Sequence, residues 1–218
     1  MSTVIASDKI SRLSVITIIF SISILAISLM VITMDTADLK TNVQKELVAT
    51  KSSLSSSAWS LIEAKTKRRY QTHFYDSGVF DFIHRKFTPK EGDLLTRYES
   101  RDDDFLLKTV NNLQILAYQI FFRMSVLEYW LALLVPLAVC IISSGYYTWR
   151  KKLYRLGGVS TGRGRIWLKV AWLLLISLIT LLFTPTYLAS ITVYFPAILI
   201  IVSAVAISNY ISNFAKSF

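Results

Sequence analysis

From Leu13 to Met34 the chain runs without a single charged side chain. A helix needs about 20 apolar residues to cross roughly 30 Å of hydrocarbon, and this run is long enough. Three further stretches qualify: Met124 to Tyr147, in which only Glu128 is charged, then Val170 to Thr184 and Ile191 to Ile211. In a chain of 218 residues, 53% of them hydrophobic, with a mean hydropathy of +0.48, one or two small soluble domains are excluded. Backbone in lipid must satisfy its own hydrogen bonds. The sequence therefore predicts an all-α membrane protein, with four transmembrane helices and a mainly helical extracytoplasmic domain between the first and second.

Charge orients these spans. Between Arg150 and Lys169 stand Arg150, Lys151, Lys152, Arg155, Arg163, Arg165 and Lys169, with no acid among them. Short loops rich in Lys and Arg stay on the cytoplasmic side. Lys9 and Arg12 precede the first run and Lys216 follows the last, so both termini are expected inside. The resulting division is 1–12 cytoplasmic, 13–34 first span, 35–123 periplasmic helical domain, 124–147 second span and 148–169 basic cytoplasmic loop. It continues with 170–184 as third span, 185–190 as periplasmic turn, 191–211 as fourth span and 212–218 as cytoplasmic C-terminus. A cleavable signal peptide would have an apolar region of about 7 to 15 residues and an A-x-A-like end; the first run is longer and ends Met34-Asp35-Thr36, which reads as an uncleaved anchor.

The net charge of +10 is not spread evenly, since residues 35–123 hold fourteen Lys/Arg against twelve Asp/Glu. The excess lies at the cytoplasmic end, so the basic balance is no argument for direct nucleic-acid binding. The single cysteine, Cys140, falls within the second span and permits no disulfide within one chain.

Outside the spans, Leu39, Val43, Leu47, Leu54 and Leu61 recur at helical spacing, predicting helix from Asp35 to about Lys67, packed within the chain or as an oligomeric seam. Five serines between Ser52 and Ser57 act against an uninterrupted helix. Ser77-Gly78 and Pro89 to Gly92 are turn signals around an aromatic run. Asp102, Asp103 and Asp104 suit the start of a helix that continues into the second span. Pro185 and Pro196 predict bends at Thr184 and Phe195.

Chemistry-bearing motifs are scarce. Glu128 lies 22 residues before Arg150, roughly 33 Å along a helix, and reads as an interfacial acid near Arg123. His73 and His84 lack any metal-ligand spacing, and no nucleophile motif occurs. Gly157 to Arg165 lacks the Lys-Ser/Thr pair of a phosphate loop and reads as a flexible basic turn. Lys65, Lys67, Arg68 and Arg69 suit a helix C-terminus. No catalytic residue, cofactor or metal site is expected. The near absence of buried ionisable groups in the spans argues against a transporter. Ser14, Ser21 and Ser28 in the first span, and Ala204, Ser208 and Ser212 in the last, form small-residue faces for helix packing, within the chain or in a homo-oligomer.

About Leu113 to Phe218 resembles an uncharacterised family of inner-membrane proteins from conjugative plasmids and integrating conjugative elements. The resemblance is carried by Ala117-Tyr118-Gln119 with Arg123, Leu134-Val135-Pro136, Gly145, Trp149-Arg150-Lys151-Lys152 and the closing Asn213-Phe214. Ser144, where such proteins often carry an acid, and the Gly157 to Gly164 stretch depart from the pattern. The resemblance implies a non-enzymatic part in conjugative DNA transfer by a type IV secretion system in the bacterial inner membrane, near the coupling ATPase. The basic residues 150–169 would then dock on an acidic face of that ATPase, on another inner-membrane protein of the machinery, or on anionic lipid. The alternatives are an exclusion or regulatory membrane protein of the same element acting in recipients, and a small transporter.

Overall fold

The computed structural model describes residues 21–22, 25–26, 29, 32–87, 100–154, 161–184 and 189–213. Most of the expected first span lies outside them, including Ser14 and Ser28; Ser21 is described, in exposed helix. The remainder forms helices α1 (Thr36–Ser53), α2 (Ser56–Tyr70), a π-helical turn (Gln71–Tyr75), α3 (Val79–Phe87), α4 (Ser100–Leu153), α5 (Thr161–Phe183) and α6 (Ala189–Ser212). Among the described residues, three stretches are long and apolar enough to cross a membrane: Leu106–Lys152, Gly162–Phe183 and Val193–Ser212.

The serine run decides where the outer helices begin and end. Asp35 caps α1 by accepting from the Thr36 amide at 2.9 Å. Ser52 and Ser53 donate back to the Ala49 carbonyl, and such bonds offer the backbone an alternative to the helix. Leu54 turns extended, and Ser55 caps α2 through the Ala58 amide. The helix expected from Asp35 to Lys67 is thus two helices. Leu47 and Leu54 pack on the core of Ile62, Phe122 and Val126, whereas Leu61, next in the seven-residue series, is 48% exposed. No continuous seam runs along that face. At the far end of α2 the last turn carries Lys67, Arg68 and Arg69, as the dipole favours, and Gly78 supplies the left-handed φ of +77° that leads into α3.

α4 is one helix of 54 residues, about 80 Å long, joining the outer region to the apolar bundle. α6 runs beside it in the same direction: the Trp130 indole donates to the Val193 carbonyl at 2.9 Å, and Lys152 reaches the Ser212 carbonyl at 3.0 Å. α5 runs back between their ends. α5 ends at Phe183 and the chain bends at Thr184 as expected, whereas Pro196 is buried inside α6 and helix continues through Phe195. Helix enters both ends of the stretch expected as the basic loop 148–169: Arg150 to Lys152 close α4 and Thr161 opens α5.

Small side chains set the spacing of α4 and α6. A Cβ on Gly145 would stand 2.7 Å from the Ser208 Cα and closer still to its carbonyl, so only glycine admits this approach. Ala204 is 3% exposed on the same side of α6. Gly145→Leu should therefore destabilise the bundle by about 1–3 kcal/mol, read as a lower thermal midpoint in detergent; an unchanged midpoint would refute this packing.

Candidate functional site

Charge collects at two levels of the bundle. At the outer level, Glu46 of α1 and Arg123 of α4 form an ion pair in which both side chains are almost fully buried, 3% and 5% exposed. The contact is two-pronged: Arg123 Nε donates to Glu46 Oε1 at 2.7 Å and Nη2 donates to Oε2 at 2.8 Å. Gln119, one turn earlier on α4, donates to Oε2 at 2.8 Å. The remaining guanidinium nitrogen, Nη1, donates to the Leu181 and Thr184 carbonyls at the end of α5. A cation there meets the negative end of the helix dipole and carbonyls that have no partner within the helix. One side chain thus joins α1, α4 and α5.

This polar knot sits in apolar surroundings, where a charge is tolerated only when paired and hydrogen-bonded. Thr50, Phe122, Leu181 and Pro196 help enclose a cavity of about 10 Å³ beside it, space for about one water. Asn42, one turn before Glu46, is also buried, and its Nδ2 makes no hydrogen bond among the described residues. The inward face of α1 thus carries Asn42, Glu46 and Thr50 among Leu39 and Val43.

A second ionic contact fastens α2 to the same stretch of α4. Glu128 accepts from Lys65 Nζ at 2.9 Å and Arg69 Nη2 at 2.6 Å. Glu128, expected as an interfacial acid near Arg123, is engaged by the cluster read as helix-end chemistry, while Arg123 is taken by Glu46. Lys67 pairs with Glu63 one turn away and holds that carboxyl below its usual range, first through the hydrogen bond and then through charge. Beyond them Tyr70 stacks on Phe74 at 5.1 Å and meets Tyr75 and Tyr118 edge-on. Burial, then the Tyr75 hydroxyl, pushes the Tyr70 phenol up. His73 stacks on Phe121 and His84 lies against Phe80, both at the exposed surface. No group of three or more potential metal ligands occurs among the described residues.

The other level is the far end of the bundle. Arg150 and Lys151 on α4, and Arg163, Arg165 and Lys169 on α5, are exposed. Lys152 differs: it caps α6 through the Ser212 carbonyl and reaches Asn213 Oδ1 at 3.3 Å. Arg155 lies outside the described residues. Gly164 lies against the Asn213 carbonyl, which brings the start of α5 to the end of α6. Among the packing residues, Ala204 and Ser212 are buried, and Ser208 sits against Gly145. After Glu128 the chain contains no acid at all, so neither the rest of α4 nor α5 or α6 supplies an acid to offset the positive field at this end.

Sequence reading missed Glu46. The available signal was an acid on the apolar side of a helix: Leu39, Val43, Glu46 and Thr50 share one face, and all four are buried. Removing either member leaves an uncompensated buried charge, so Glu46→Ala and Arg123→Leu should each cost about 3–5 kcal/mol. Glu46→Leu combined with Arg123→Leu should recover most of that loss, measured by denaturant unfolding in detergent. Additive losses in the double variant would contradict the coupling.

No curated protein and no solved structure matches the chain. A family does, along nearly the whole of the described architecture: residues 33–218, from the start of α1 past the end of α6, match the family described as "IncC plasmid conjugative DNA transfer protein DtrJ-like". The chain belongs to this DtrJ-like family of conjugative DNA transfer proteins.

Proposed function

We propose that the protein is a non-enzymatic inner-membrane component of a conjugative type IV secretion apparatus that associates with the coupling ATPase or the inner-membrane complex around it. Family membership supplies the process. The observation that carries the mechanism is the basic end of the bundle, where Arg150, Arg163, Arg165 and Lys169 are exposed and make no ion pair among the described residues. Such a surface attracts an acidic protein face and raises the rate of encounter. In the orientation that basic residues favour, this end is cytoplasmic, where a motor that feeds DNA into the channel works.

The rest of the chain suits a scaffold. Ionisable residues within the bundle are few, and the cavity beside Arg123 has space for about one water, which supports a packed interior rather than a transport path. The outer hairpin of α1 and α2 is held to α4 by two ionic contacts, so an event at one end has a stiff helix of about 80 Å through which to reach the other.

Donor cells carrying Arg150→Glu, Arg163→Glu, Arg165→Glu and Lys169→Glu together should transfer DNA less often by about tenfold or more and should co-purify less coupling ATPase. The variant's level in the membrane fraction serves as control. Normal transfer and normal co-purification by an inserted variant would remove the docking role, and a defect seen only when recipients carry the variant would move the protein to exclusion.

A further inference from the structure

One face of α4 changes character halfway along the bundle. Leu133 and Leu137 on it are exposed and apolar, 56% and 47%. Below them Cys140, Ser143, Ser144, Tyr147, Thr148 and Lys151, all on α4 and edged by Val139, line a shallow, open groove along the helix. Their spacing of three and four residues keeps all six on one side of the helix. That side is turned away from α6, which packs on Gly145. The groove extends about 16 Å from Cys140 to Lys151, close to half the thickness of a hydrocarbon core.

We propose that this groove is a binding site for an anionic phospholipid of the inner leaflet, an inference that rests on the membrane-spanning reading of the bundle. The phosphate is held by the Lys151 ammonium and the Tyr147 hydroxyl, both exposed where α4 leaves the apolar zone. Deeper in, Ser143 and Ser144 offer hydroxyl donors at the depth of the glycerol ester carbonyls. Thr148 already spends its donor on the Ser144 carbonyl at 2.8 Å and presents its oxygen. The acyl chain then lies along Leu133 and Leu137. Charge selects the occupant. A second copy in the same orientation would set Lys151 against Lys151 and Arg150 against Arg150 with no acid beyond Glu128 to relieve them, whereas an anionic headgroup neutralises them. A lone lysine at the surface would attract anionic lipid without a groove; the hydroxyls on the same face make the site directional.

The full chain reconstituted in phosphatidylcholine nanodiscs containing phosphatidylglycerol tests this, with retained lipid counted by native mass spectrometry. Wild type should retain phosphatidylglycerol over phosphatidylcholine, and Lys151→Gln should lower that preference about fivefold. Ser144→Leu with Thr148→Leu leaves the charge unchanged and should lower it too. Equal retention of the two lipids, or a preference that Lys151→Gln lowers while the leucine pair does not, overturns the site and leaves the membrane reading standing. Failure of the chain to enter discs overturns both.

Discussion

A guanidinium buried at the outer end of three apolar helices must replace nearly all of its hydration with protein oxygens, and Arg123 takes them from two elements other than its own. Two oxygens come from Glu46 and two from the last carbonyls of α5, while Gln119 holds the carboxylate from the side. Moving a carboxylate or guanidinium into a medium of low dielectric costs on the order of 20 kcal/mol in the ideal case, so the pair adds little net stability over an apolar contact. Its effect is selectivity. Any docking of α1 that shifts Glu46 by one turn strands both charges, and any slip of α5 removes the carbonyls. The outer hairpin therefore has one register on the bundle.

That register determines what lies below it. With α5 pinned at its C-terminus by Arg123, its N-terminal Gly164 comes to rest against Asn213 at the opposite end. Lys152 closes α6 there, and Gly145 against Ser208 sets the α4–α6 separation midway. Polar contacts thus fix both ends of the bundle, and close packing of small residues fixes the middle. This division suits lipid, where apolar surface gives helices no preference for one another over the surrounding chains.

The last three apolar runs, the long helix through the second run and the basic end were legible in the sequence because each depends on composition within one segment. Contacts between segments were not. Glu46 and Arg123 are 77 residues apart, and nothing local to either marks the pairing. Glu128 was placed near Arg123 by sequence alone, and its partners Lys65 and Arg69 lie 63 and 59 residues away. Pro196 was read as a bend from its missing backbone donor, yet a helix buried among others absorbs that loss. Gly162 and Gly164 suggested a turn, whereas the chain is already helical there and glycine permits the approach of Asn213.

The placement of acids completes the reasoning about direction. All fourteen lie at or before Glu128, and the described ones include both partners of the outer staples, Glu46 and Glu128. Basic residues occur at both ends; Lys65, Arg69 and Arg123 are engaged by acids at one, whereas Arg150, Arg163 and Arg165 are exposed at the other, on helices that carry no acid after Glu128. Carboxylates used as staples rigidify one end of α4, and none follows them along the helix toward the other. The same long helix thus carries interhelical ion pairs above and, below, basic side chains that no acid of α5, α6 or the rest of α4 engages.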